Sequence, residues 1–306
     1  MKILYYDCCV GISGDMNLGA LLDLGVDSGF LIRELSKLKL DHEFEIVIKK
    51  DVKMGITGTK VDVLLTTDNH EHIHNCDNDQ RLIHAQDHHH HGNNYDHIFA
   101  HDDSHRRNLA IIEDIINTSD LAPNIKHLSK EIFRQVAKAE AKVHGKPINE
   151  VHFHEVGAID SIVDIVGAAI CIEQLQVDKI MSSSVQVGGG YIKCAHGLLP
   201  VPAPATAEIL KNIPIKSGIV QFETTTPTGA AILAANVDEF TDTFNFIIEK
   251  IGYGLGTRDL EIPNILRVYI CSEKTEEKSL NSDRQYQEII YKEADSVMED
   301  KINAHR

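Results

Sequence analysis

Between Val151 and Gly167 the sequence VHFHEVGAIDSIVDIVG sets His152, His154, Glu155, Asp160 and Asp164 in surroundings that are otherwise almost wholly apolar. Imidazoles and carboxylates at that density do two kinds of chemistry: they ligate a cation, or they move protons near neutral pH. On an extended backbone His152 and His154 point the same way, as a pair of ligands must. From Ala158 onward the pattern is helical and apolar nearly all round, which predicts a buried helix. Asp160 and Asp164 stand four apart on it and share a face. A buried carboxylate is expensive unless a cation, a histidine or a basic group of a ligand pairs with it, because desolvation raises its pKa and neutralises it. The plainer reading has Asp160 capping the helix and both histidines satisfied in the core.

A second concentration of ligand chemistry lies in an insert from Asp68 to His105, which holds eleven of the eighteen histidines, among them His88, His89, His90 and His91. The insert also carries eight acidic residues against Arg81 alone. It has no periodic apolar pattern, so it reads as a mobile, disordered loop whose composition suits metal capture rather than a preorganised catalytic site. Imidazole accepts nickel, copper and zinc alike. Cys194 and His196 add a thiolate and an imidazole two apart on what reads as one strand.

Anion chemistry has its own candidates. The stretch from Asp7 through GISGDM is a strand, a glycine turn and a helix start, with Ser13 or Asp15 as N-cap and backbone N–H groups suited to an anion. Asp15 repels a bare phosphate, so a bridging cation is needed there. The TTTPTG run offers Thr225 and Thr226 at another helix start. In GYGLGTRD an arginine, Arg258, follows what reads as a glycine turn, a suitable phosphate clamp.

The elements that must position these groups are legible from periodicity. Strands are predicted over Lys2–Tyr6, Phe44–Lys50 and Thr57–Leu65, with Gly55 and Gly58 as bends. Helices are predicted from Met16 to Gly25, and over Ser28–Lys39, Arg107–Thr118, Ser129–His144 and Pro204–Lys211. One or two short strands lie within Asp178–Val187, and NILRVYICS closes the body. This is a mixed α/β protein with helices packed on one or more mixed sheets: a main domain over 1–268 that contains the 68–105 insert, then a charged linker or tail over 269–306 with helical character from Tyr286 to Met298.

The formal charge of −16 excludes non-specific binding to nucleic acid or to anionic membrane, both of which need a basic surface. Six cysteines without a CxxC pair, and the lack of an apolar leader or spanning stretch, lead us to expect a reduced cytoplasmic setting.

Taken together, DCCVGISGDM, VHFHEVGAIDSIVDIVG, CAHGLLPVPAPAT, TTPTGAAILA and GYGLGTRDLEIPNILRV resemble the LarC family of nickel insertion proteins, over Met1 to about Val268. The resemblance implies a metal-inserting lyase that places Ni²⁺ in pyridinium-3,5-bisthiocarboxylic acid mononucleotide through one Ni–C and two Ni–S bonds. It further implies use of CTP, and a nickel-pincer product that serves lactate racemase. Cys8, Cys9 and Val10 depart from the family, which has small or aromatic residues before GISGDM. The family's C-terminal domain, to which the resemblance assigns CTP, is expected to be absent here and supplied separately.

Under that expectation His152, His154, Glu155, Asp160 and Asp164 carry the chemistry, with a histidine or carboxylate removing the ring proton. His154, Glu155, Cys194, His196 and His88–His91 handle nickel. Asp7, Ser13, Asp15, Thr225, Thr226 and Arg258 hold the nucleotide phosphates and their Mg²⁺ or Mn²⁺. The competing expectation is a non-catalytic nickel or zinc chaperone that delivers metal through the insert.

Overall fold

The computed structural model describes residues 1–66, 107–151, 153, 158–194, 197–243 and 245–273. The insert from Asp68 to His105, the tail beyond Glu273, and His152, His154, Glu155 and His196 lie outside them, as does the side chain of Cys194.

The body is a seven-stranded mixed sheet with helices packed on it, as the sequence predicts. Strand β1 (Lys2–Asp7) leads into helix α1 (Gly14–Asp23) and α2 (Ser28–Ser36). A hairpin of β2 (Phe44–Lys53) and β3 (Ile56–Leu65) follows, turning at Gly55, whose φ of +85° suits glycine. Helices α3 (Leu109–Thr118), α4 (Pro123–His144) and α5 (Ile159–Leu175) come next, then β4 (Lys179–Ser182) and β5 (Val185–Gln186). The remaining elements are β6 (Tyr191–Cys194), β7 (Gly197–Pro200), α6 (Pro204–Ile209), β8 (Ile215–Lys216), α7 (Pro227–Asn236), β9 (Glu239–Phe240), β10 (Phe246–Leu255) and β11 (Ile265–Glu273). Their order across the main sheet is β2-β3-β10-β11-β1-β4-β9. The pairs β1–β4, β4–β9 and β3–β10 are parallel and the rest antiparallel.

Period-two alternation along β1 sends Leu4 and Tyr6 into the main core and Ile3 and Tyr5 to a smaller cluster with Met181, Tyr269 and Cys271. Helix α5 is buried on nearly every side, packed by α1, α2, α4 and α7. Before it, Val151 and Phe153 are buried, and the Phe153 ring lies 6.4 Å from that of Phe133.

Several sequence expectations change on folding. Helix α4 starts six residues before Ser129, because Pro123 sits at its first turn where a missing N–H does no harm. Gly58 is no bend: it lies within β3, and a Cβ there would stand 2.7 Å from Tyr253 O. Gly252 and Gly254 form no glycine turn either. They lie in β10 directly under α1, where a Cβ would meet Ala20 O at 2.2 Å and Met16 O at 1.8 Å. Those glycines let helix backbone rest on strand backbone. β6 ends at Cys194, which pairs with Gly197 at the start of β7, so a hairpin replaces the single strand expected through residue 196. β11 carries the sheet past Val268 to Glu273. Among the described residues no helix is long and apolar enough to cross a membrane.

Candidate functional site: an acidic cavity at three helix starts

The N-terminal ends of α1, α5 and α7 converge on one cavity of about 470 Å³. Ser13, Gly14 and Asp15 come from α1, Asp160, Ser161 and Asp164 from α5, and Thr226, Pro227 and Thr228 from α7. Strand β3 supplies Lys60 and Asp62, and Glu223 and Thr257 complete the polar wall. A second lobe, about 590 Å³, shares Val63, Leu64 and Asp160 and reaches Glu45 and Thr66. A third, about 180 Å³, shares Ser13, Asp15, Glu223, Thr226 and Thr257 and is closed by Arg258 and Asn264.

Five carboxyl groups and one ammonium line the central space, and Asp15, Asp62 and Glu223 by themselves outnumber Lys60, so its field favours cations. Lys60, only 6% exposed, donates to Asp15 Oδ2 at 3.0 Å and Thr257 Oγ1 at 2.8 Å, and pairs with Asp62 Oδ1 at 2.9 Å. Burial alone would lower the Lys60 pKa, but Asp15 and Asp62 outweigh it and the pKa is raised. Asp62 is desolvated too, yet its bond to Lys60 brings its pKa below the ordinary value. Ser13 occupies the N-cap position of α1 but gives its hydroxyl proton to Asp15 Oδ1, so it does not cap the helix.

Asp160 and Asp164 lack such a cation. Asp160 opens to the solvent of the cavity and accepts the Ser161 N–H at 2.7 Å, so the cap of α5 is Ala158 and not Asp160. Desolvation raises its pKa, reinforced by Asp15. Asp164 lies deeper: its Oδ1 is shut from solvent with no hydrogen-bond partner among the described residues. Desolvation pushes its carboxyl well above the usual range, Asp15 and Asp160 push it further, and Lys60 opposes them.

The anion candidates divide. Thr226 caps α7 through its hydroxyl, which accepts the Gly229 N–H at 3.2 Å, and it lines the cavity. Thr225 is fully buried and spends its hydroxyl on Gln186 O at 2.6 Å. Arg258 stacks on the Phe222 ring, 4.1 Å from its centroid, at the edge of the small lobe. Asp7 is not brought to the cavity, so it does not join Asp15. It lies on the opposite face of the sheet, where Oδ2 pairs with Arg267 at 2.6 Å and accepts the Tyr269 hydroxyl at 2.7 Å. Among the described residues no group of three or more His, Cys, Asp or Glu side chains is arranged to hold a metal ion.

Sequence reading missed Lys60, Asp62, Glu223, Thr257 and Asn264. The signal for the first two was present: two opposite charges two apart on a strand share a face, and here that face meets Asp15 rather than water.

Fold and cavity define a mixed α/β protein with an acidic cavity where helix starts meet. The lineage is specific: the chain belongs to the nickel insertion protein family, whose model matches residues 4–299. It is 59% identical to the pyridinium-3,5-bisthiocarboxylic acid mononucleotide nickel insertion protein of Clostridium kluyveri, over 91% of this chain and 64% of that one. It is 61% identical to the protein of the same name from Clostridium acetobutylicum, over 90% of this chain and 65% of that one. It is 51% identical to a putative nickel insertion protein of Maridesulfovibrio salexigens, over 98% and 72%. The chain thus spans less than two-thirds of the length of the two clostridial relatives. No solved structure matches it.

Proposed function

We propose that the chain carries out the nickel-handling part of inserting Ni²⁺ into pyridinium-3,5-bisthiocarboxylic acid mononucleotide, the reaction for which its clostridial relatives are named. The observation that carries this reading is the cavity's acidic lining: Asp15, Asp62, Asp160, Asp164 and Glu223 share it with Lys60. Such a field draws in a divalent cation and a pyridinium ring together. A volume of about 470 Å³ with side lobes is in the range for a mononucleotide.

The substrate is a cation at its ring and an anion at its phosphate, and the lobes differ in the same sense. The acidic centre receives the ring and the metal. The small lobe, with Arg258, Asn264 and the α7 helix start, receives the phosphate. His152, His154 and Glu155, which immediately precede the cavity-lining start of α5 in sequence, bring nickel to the thiocarboxylates, and Cys194, His196 and the insert histidines capture it first. CTP is bound with Mg²⁺ or Mn²⁺ at Asp15, and the product serves lactate racemase in the cytoplasm.

The test is activation of apo lactate racemase by the purified chain with nickel, CTP, Mg²⁺ or Mn²⁺ and the substrate, with and without a separate C-terminal domain. Activation in either mixture supports insertion. Tight nickel binding without activation in both would replace this reading with that of a metal chaperone.

A further inference from the structure

The reaction proposed above leaves one group unassigned, the one that takes the proton from the carbon nickel will occupy. We propose that Asp164 is this proton acceptor, an assignment that rests on the insertion reading.

Of the cavity's carboxylates, Asp164 is the one with an oxygen that is both buried and without a hydrogen-bond partner among the described residues. Asp15 is engaged by Ser13, Lys60 and Thr257. Asp62 is paired with Lys60 and Lys49, Glu223 accepts the Ala203 N–H, and Asp160 accepts the Ser161 N–H. Asp164 Oδ1 is buried with no hydrogen-bond partner among the described residues, yet the residue lines the cavity. Its other oxygen rests on bare backbone, since a Cβ on Gly14 would lie 2.2 Å from Oδ2. The carboxylate is therefore fixed by packing rather than by donors, which leaves its basicity intact. Desolvation acts in the same direction, with Asp15 on α1 and Asp160 on α5 raising its pKa and Lys60 on β3 lowering it.

The step balances without a redox partner. The carbon between the two thiocarboxylates carries one hydrogen. Its C–H bond breaks heterolytically, the electron pair becomes the nickel–carbon bond, and the proton passes to Asp164. Nickel stays divalent, and the pyridinium charge acidifies the bond being broken.

The test compares the full chain with D164N, supplying the separate C-terminal domain to both. Three quantities are read: insertion rate against pH, equilibrium binding of Ni²⁺ and of substrate, and the rate ratio for substrate with hydrogen or deuterium at that carbon. For a general base the expected loss in D164N is about 100-fold or more in insertion rate. Nickel and substrate affinities stay within about threefold, and thermal melting confirms the fold. The wild type shows a rate that rises with pH through one ionisation and a primary isotope effect. Insertion by D164N within about tenfold of wild type overturns the assignment, as does joint loss of nickel binding, which makes Asp164 a ligand. Should D164N not fold, a pH-independent wild-type rate overturns it. A wild type that inserts no nickel sinks the parent reading itself and is told apart by that.

Discussion

Gly14 at the start of α1 and Asp164 in the middle of α5 are in backbone-to-carboxylate contact: a Cβ on the glycine would stand 2.2 Å from Asp164 Oδ2 and 2.6 Å from its Cγ. One helix start is thus the floor for the other helix's buried carboxylate. Gly14 has ordinary helical backbone, so Gly14→Ala brings no strain of its own and gains at most about 1 kcal/mol in helix propensity. The collision outweighs that gain, because overpacking costs about 1–3 kcal/mol and the carboxylate must swing away. Gly14→Ala is expected to lower stability by about 1 kcal/mol net and insertion rate by tenfold or more. Denaturant unfolding and single-turnover assays check it, and full activity in Gly14→Ala would show that the position of Asp164 does not matter.

Asp164 also predicts how stability varies with pH. Its folded pKa is raised by desolvation, so between the ordinary carboxylate value near 4 and that higher value the folded state binds more protons than the unfolded one. Stability therefore falls as pH rises through that window, and the loss is complete above the folded pKa. Asp160, raised for the same reason, adds in the same direction. Asp164→Asn abolishes the Asp164 part, so it is expected to melt higher than wild type at neutral pH, with the gap closing as pH drops toward 4. A gap independent of pH would mean that Asp164 is not raised.

The contrast between α5 and Lys60 shows what the sequence could and could not reveal. Helix α5 was legible because four-residue spacing and an apolar surround act locally, and they placed Asp160 and Asp164 on one face. Lys60 was not, since a charged residue on a strand reads as solvent-facing until a distant helix start is brought against it. Gly252 and Gly254 misled in the opposite sense: closely spaced glycines read as a turn, and only the docking of α1 shows that they exist for close packing. Asp7 and Asp15 sit eight apart across a turn, and nothing local tells that the strand and the helix aim them at opposite sides of the sheet.

Lys60 holds Asp15 and Asp62 together, so its removal leaves two partly desolvated carboxylates facing each other. Breaking a fully buried pair costs about 3–5 kcal/mol. Here the carboxylate side chains remain 27% and 29% exposed, which discounts the loss to about 2 kcal/mol for Lys60→Met. Because Lys60 also opposes the rise in the Asp164 pKa, the same substitution is expected to move the ascending limb of the rate–pH profile upward. Asp15→Asn in the Lys60→Met background should recover part of the stability, and a double-mutant cycle measures how much.

Glu43 ties the two described ends that flank the histidine-rich insert. Its carbonyl accepts the Thr66 N–H at 3.0 Å, and its carboxylate takes Arg107 in two bonds of 2.6 and 2.7 Å. Thr66 lines the lobe that adjoins Asp160, and Glu43 holds Thr66 and Arg107 together. Replacing 68–105 by a short Gly-Ser linker is therefore expected to leave the fold intact. Bound nickel per chain should drop, and insertion should fall sharply when nickel is limiting. At saturating nickel it should stay within about threefold of wild type, because capture no longer limits the rate. Calorimetric nickel titration and the racemase activation assay at two nickel concentrations separate these effects. Insertion that stays lost at saturating nickel would place the chemistry on the insert and favour a chaperone that hands over metal directly.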